Sequence, residues 1–224
     1  MPKIKYIASL SNYSKVPSNS IVYWLNNFAI FDYEMLGVGY ESGGRNKTHN
    51  NELYLRKWWE ISDTERWQPY ANGGDFRRWY GNHIDLVDWS ISARTNYESH
   101  GGLYNKRFWG SFGVCWNLIT SYKNSFRVKY SEFHYSSGSP TIISNDKHKD
   151  YVRLGFLNSE VGAYLIKAMN PTLNTTVNDV LTLPFNVGTS GSIIESKVEQ
   201  NVSLCKKDWD DFETSWEFKK HPLI

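Results

Sequence analysis

Trp58, Trp59, Trp67, Trp79, Trp89, Trp109 and Trp116 crowd one stretch of a 224-residue chain that holds ten tryptophans in all. Rings this large favour the pleated, half-buried surface of β-strands and pack as core. A β-rich core is therefore the first reading of this stretch, and a surface on which bases or sugars stack is the second; both stay open here. Hydrophobic residues make up 40% and charged residues 21%, which is ordinary globular usage and argues against disorder. The length suits one sizeable domain or two small ones. Cys115 and Cys205 lie far apart and no two histidines are three to five residues apart, so neither a disulfide framework, a zinc ribbon nor a local metal-ligand pair is expected. The first residues carry no apolar signal region and no run suits a membrane span. The expectation is a cytoplasmic protein with no membrane partner and no bound metal.

Along the chain, residues 1–36 read as a lead-in segment. Val16 to Ser20 gives a turn, and Ile21 to Leu25 gives a short helix with an apolar face. Residues 37–47 are glycine-rich but lack the GxxxxGK[ST] pattern of a phosphate loop; a mobile or ligand-facing loop is expected. From Leu53 to Tyr130 short aromatic and β-branched runs alternate with turn signals, such as those at 71–75 and 80–83. Phe126 to Tyr130 alternates apolar and basic with period two, which predicts one buried face and one face presenting Arg127 and Lys129. From Lys149 the period changes. A short helix ends at Asn158-Ser159. A second, capped by Asn158 or Ser159, has Val161, Tyr164, Leu165, Ala168 and Met169 on one face and stops at Asn170-Pro171. Residues 177–184 read as a strand. Residues 186–203 become an amphipathic helix through Ile194, Val198 and Val202, and the tail from Asp208 to Phe218 is acidic and aromatic, suited to packing on a partner or on this chain.

Net charge is only +2, but between Gly44 and Tyr130 thirteen Lys or Arg face eight Asp or Glu. Twelve of the cations come as Arg45 and Lys47, Arg56 and Lys57, Arg77 and Arg78, Arg94, Lys106 and Arg107, Lys123, Arg127 and Lys129, interleaved with aromatics and glycines. That distribution suits a surface meeting phosphates at several points, with arginines available for guanine edges; an ordinary solvated surface is the competing reading.

Several segments together resemble one family. They are Val16 to Trp24, Asn51 to Glu60, Gly73 to Asn82 (GGDFRRWYGN), Gly155 to Val161, Asn170 to Asn174, and the tail from Trp209 to Ile224. The family is the PglX-type adenine-specific DNA methyltransferases of BREX phage-defence systems, related to fused restriction–modification enzymes. The resemblance covers nearly the whole chain, and GGDFRRWYGN and the tail are its most specific parts. It implies an α+β specificity domain, mixed or antiparallel and sheet-rich, with a helical C-terminal part. Residues 37–185 would form the target-recognition domain, 1–36 would lead in from a catalytic domain, and 186–224 would lead on to a further C-terminal region. It also implies that the twelve cations above meet double-stranded DNA, and that the partners are a methyltransferase catalytic domain or other defence subunits.

Such an enzyme binds S-adenosylmethionine on a glycine-rich turn and holds the flipped adenine in an Asn/Asp-Pro-Pro-Tyr/Phe loop. The seven prolines here are never adjacent, so that loop is absent and no cofactor or catalytic residue is expected in this chain. The Glu195-Ser196-Lys197 triplet has no upstream Asp to make a nuclease site. The reading from a different class is a carbohydrate- or protein-binding module without catalysis, resting on the Trp/Tyr/Asn/Gly-rich middle.

Overall fold

The computed structural model describes residues 9–17, 20–25, 27–121 and 123–223. The architecture is α+β, with two sheets in the first two thirds of the chain and helices concentrated after them. Strands β1 (Leu55–Lys57), β2 (Trp67–Ala71), β3 (Asp85–Asp88) and β6 (His134–Tyr135) form a sheet of order β1-β3-β2-β6, antiparallel except where β6 joins β2 in parallel. Strands β4 (Gly113–Trp116), β5 (Phe126–Lys129) and β7 (Thr141–Ile142) form a second, antiparallel sheet of order β5-β4-β7. The two earliest helices, α1 (Leu10–Tyr13) and α2 (Asn51–Tyr54), are single turns.

The helices begin where the sequence offers oxygen acceptors. Helix α3 (Ile91–Ser99) starts at Ser90, whose hydroxyl accepts from the Ala93 amide at 3.3 Å, and it buries only Ala93 and Tyr97 against the first sheet. This helix lies inside a stretch that reads as strand, because its polar sequence carries little apolar periodicity. Helix α4 (Lys147–Leu157) is capped by Asp146 and α5 (Glu160–Met169) by Ser159, as the 3.6-residue spacing predicts. Helix α6 (Val177–Leu181) replaces the expected strand over 177–184. Thr176 and Asp179 form a reciprocal capping box there, and that local signal outweighs the β-branched composition. Residues 21–25 form turns rather than the expected helix, although Val22 is fully buried. Of the turn expected over 16–20, Ser18 and Asn19 lie outside the described residues.

The last helix, α7 (Gly191–Asp210), packs along α4. The two cross at Gly155, where an added Cβ would sit 2.7 Å from Ile194 Cγ2 and 3.0 Å from Val198 Cγ2, so only glycine allows this approach. Leu154, Leu157, Val198 and Val202 are buried in a core that also takes Val16, Leu36, Val114, Trp116 and Trp209; each side chain this size contributes roughly 1.5–3 kcal/mol when withdrawn from water. The acidic, aromatic tail packs on this chain. Trp58 Nε1 donates to the Thr214 carbonyl at 3.0 Å, and Arg77 pairs with Asp208 at 3.0 Å.

Strand β5 is covered on both faces. Phe126 and Val128 enter the helical core, while Arg127 and Lys129 are 2% and 1% exposed on the other side. The expectation that alternation presents these two cations to solvent is thus overturned: alternation shows that two faces differ, not that either is wet. At the free edge of β5, Trp79 forms a single parallel bridge to Arg127, and Asn158 folds its side-chain amide over Phe126, accepting from its N–H at 3.1 Å and donating to its carbonyl at 2.8 Å. The Asn158-Ser159 pair therefore has a double role: Asn158 closes a strand edge and Ser159 starts α5.

Candidate nucleic-acid interface

The glycine-rich loop over 37–50 is tied down rather than free. Glu41 and Ile143 exchange backbone hydrogen bonds at 2.8 and 2.9 Å, the Asn46 amide donates to the Tyr135 carbonyl at 2.7 Å, and the Gly44 amide donates to the Tyr135 hydroxyl at 2.7 Å. From Arg45 to Lys47 the loop runs beside 102–104, with Lys47 N–H donating to Gly102 O at 2.8 Å and Tyr104 N–H to Arg45 O at 3.3 Å. Gly102 is required at this contact, because a Cβ would collide with the backbone carbonyls of Lys47 and Tyr97.

This strap brings together four of the twelve sequence-predicted cations. Arg45 lies 4.4 Å over the Tyr104 ring, and a hydrogen bond from Arg45, reinforced by the charges of Lys47 and Arg45, pulls the Tyr104 hydroxyl below its ordinary pKa. Lys106 and Arg107 follow on the next turn and pair with Glu98 (2.9 Å) and Glu41 respectively. Both pairs are more than half exposed, so each is worth less than about 1 kcal/mol and exchanges readily for a phosphate. Next to the strap a polar cavity of about 490 Å³ is lined by Lys47, Thr48, Asn51, Asn72, Ser136 and Ser137, with the Tyr70 hydroxyl held by the Asn46 carbonyl at 2.7 Å in its wall. Amides and hydroxyls of this kind read hydrogen-bonding edges. They are absent from the residues singled out by charge; the available signal was the run of asparagines at 46, 50 and 51.

The remaining eight cations lie elsewhere. Arg56, Lys57, Arg77 and Arg78 belong to β1 and the GGDFRRWYGN segment. Lys57 pairs with Asp85 at 2.5 Å, Arg77 pairs with Asp208 and lies 5.0 Å over Trp209, Arg56 lies 5.7 Å over Trp67, and Arg78 lies 5.6 Å over Phe76. Lys123 pairs loosely with Glu160 at 3.4 Å. Arg94 stands half-buried on α3. Among the described residues Arg45, Lys47, Arg56, Arg78 and Arg94 have no carboxylate partner.

Arg127 and Lys129 leave the surface altogether. Arg127 donates to Asn117 Oδ1 at 2.7 Å and Lys129 Nζ to the Ser111 carbonyl at 2.6 Å, and neither has a carboxylate partner among the described residues. Burial drives the Lys129 ammonium down to about 8. Nearby, burial lowers His134 to about 4, helped by Lys129 and Arg94, and lowers His83 to about 3, helped by Arg127. Both imidazoles are neutral at pH 7, and His134 stacks on Trp89 with centroids 3.7 Å apart. The tryptophan-rich stretch divides in the same way: Trp116 is fully buried, Trp89 and Trp109 close around His134, Trp59 is half exposed, and Trp58 and Trp67 line a cleft.

No protein-family model matches the chain. Two curated proteins do match it. Both are adenine-specific methyltransferases. One is adenine-specific methyltransferase BrxX of Escherichia coli O9:H4 (strain HS), 27% identical over 227 residues that take in 96% of this chain and 19% of that protein. The other is adenine-specific methyltransferase PglX of Lacticaseibacillus casei (strain Zhang), 28% identical over 254 residues that take in 100% of this chain and 21% of that protein. The chain spans about a fifth of the length of these relatives. No helix among the described residues is long and apolar enough to cross a membrane.

Proposed function

We propose that this chain recognises a double-stranded DNA target for an adenine-specific DNA methyltransferase of a phage-defence system, with the 41–49 and 100–108 strap as its contact surface. The observation that carries this reading is the convergence of Arg45, Lys47, Lys106 and Arg107 beside a cavity lined by Asn, Ser and Thr. Phosphate contacts by the four cations set register, and the amides and hydroxyls next to them meet base edges in the groove. The similarity of nearly all of this chain to about a fifth of two adenine-specific methyltransferases supports the same reading. The Asn/Asp-Pro-Pro-Tyr/Phe loop that holds the flipped adenine belongs to another part of such an enzyme, since no adjacent prolines occur here.

The test is duplex binding by fluorescence anisotropy across a salt series. Four phosphate contacts give a slope of log affinity against log salt of about −3.6, and Arg45→Ala or Lys47→Ala each makes it shallower by about 1. A parent chain that binds duplex no better than a neutral control protein at low salt sinks the proposal. So does a slope unchanged in the Arg45→Ala/Lys47→Ala double variant, which would put the contact surface elsewhere.

A further inference from the structure

A second cavity, of about 550 Å³, opens between the first sheet and the segment 209–217. Four tryptophans form its walls: Trp58 and Trp67 from the sheet side, Trp209 and Trp216 from the C-terminal side. Tyr80, Tyr130 and Phe133 complete them. The Trp58 and Trp216 rings meet at 5.4 Å, and Trp216 is half exposed, as is Trp59, which packs on the Trp58 ring. An exposed aromatic patch continuous with a cavity marks a binding surface.

The charges in the wall decide what fits. Asp85 is neutralised by Lys57 at 2.5 Å and Lys206 by Asp210 at 2.5 Å. Glu132 and Glu217 also line the cavity, and neither has a cationic partner among the described residues. Both act on the buried Tyr80 hydroxyl, which burial holds above its ordinary pKa and the two carboxylates raise further. His83 contributes no positive charge at neutral pH. The chain's own cations already use some of these rings: Arg66 lies 5.3 Å over Trp67, Arg77 over Trp209 and Lys206 5.4 Å over Tyr80. Among the described residues none lies over Trp58, Trp216, Tyr130 or Phe133. Ring faces draw a cation through their negative quadrupole, while the two free carboxylates repel phosphate.

We propose that this aromatic cleft is a docking pocket for an arginine or lysine side chain presented by a partner protein. Its chemistry differs from that of the DNA-facing strap, and it stands or falls separately from the DNA reading.

The experiment uses the intact 224-residue chain and tryptophan fluorescence. The probe is a short peptide free of aromatic residues with one central arginine, compared with the same peptide carrying citrulline, its neutral isostere, and with AMP as an anionic aromatic. Saturable quenching by the arginine peptide, at least about tenfold weaker with citrulline and with the Glu132→Gln/Glu217→Gln double variant, is the expected result. Both glutamates are exposed, so the variant keeps the fold, which its melting curve checks. The proposal is overturned if arginine and citrulline peptides bind alike, if AMP binds more tightly than either, if the double variant binds as the parent does, or if nothing binds. Duplex anisotropy on the double variant is expected to match the parent, which separates this site from the strap.

Discussion

Replacing Lys129 by methionine stabilises the protein and leaves DNA binding untouched, although Lys129 stands in a basic, strand-like sequence. The ammonium is 1% exposed, its acceptor is one carbonyl, and its pKa falls from 10.5 to about 8. A shift of that size is about 3 kcal/mol of penalty on the charged form at neutral pH. Methionine keeps the unbranched shape but leaves the Ser111 carbonyl without its donor, costing ~1–2 kcal/mol. The net gain is about 1–2 kcal/mol, or roughly 2–8 °C in Tm for a chain this long. Between about pH 8 and 10.5 the unfolded lysine holds a proton that the folded one has lost, so the parent gains stability as pH rises through that window. The advantage of Lys129→Met therefore shrinks by about 2 kcal/mol between pH 7 and pH 9.5. Urea denaturation at the two pH values, with duplex anisotropy at pH 7, reads all three quantities. A destabilised Lys129→Met, or one whose salt slope falls by about 1, would refute the burial argument.

Other sites give sharp outcomes. Asn158→Ala leaves the buried Phe126 N–H without an acceptor and costs about 1–3 kcal/mol in urea denaturation, a loss that Asn158→Asp recovers only in part because it cannot donate to the Phe126 carbonyl. Gly102→Ala forces the Lys47 carbonyl away, opening the strap; it lowers stability by ~1–3 kcal/mol and weakens duplex binding together, whereas Gly101→Ala, with open space around its Cβ, adds only the strain of its positive φ, about 1–2 kcal/mol, and leaves duplex affinity unchanged. Falling pH destabilises the fold from about 6.5 down to about 4, because unfolded histidines take up protons that His134 and His83 refuse until lower pH. His134→Phe keeps a ring stacked on Trp89 and flattens that acid limb by up to one proton, visible as a smaller slope of unfolding free energy against pH.

How much of this was legible follows from what local sequence can encode. Helices α4 and α5 were readable because apolar spacing and cap residues are local, and Ser159 and Asn170 mark the ends of α5 in the sequence itself; α7 was readable from apolar spacing alone and runs on to Asp210, past the expected end at 203. Helix α6 was readable too, through Thr176 and Asp179, had the capping box been set above the β-branched run. Helix α3 was not, since its only core residues are Ala93 and Tyr97 and its cap is one serine among many. The site divides along the same line. Charge density pointed at twelve cations, yet neither the salt partner of Arg77 nor the burial of Arg127 and Lys129 has a local cause. Asp208 lies 131 residues from Arg77, and β5 is dry because a second layer covers the face that alternation marks as polar. The acidic tail shows the consequence most directly: its composition was plain, but only long-range packing sets Trp209 and Trp216 opposite Trp58 and Trp67, and so turns a surplus of tryptophan into a cavity with an acidic rim.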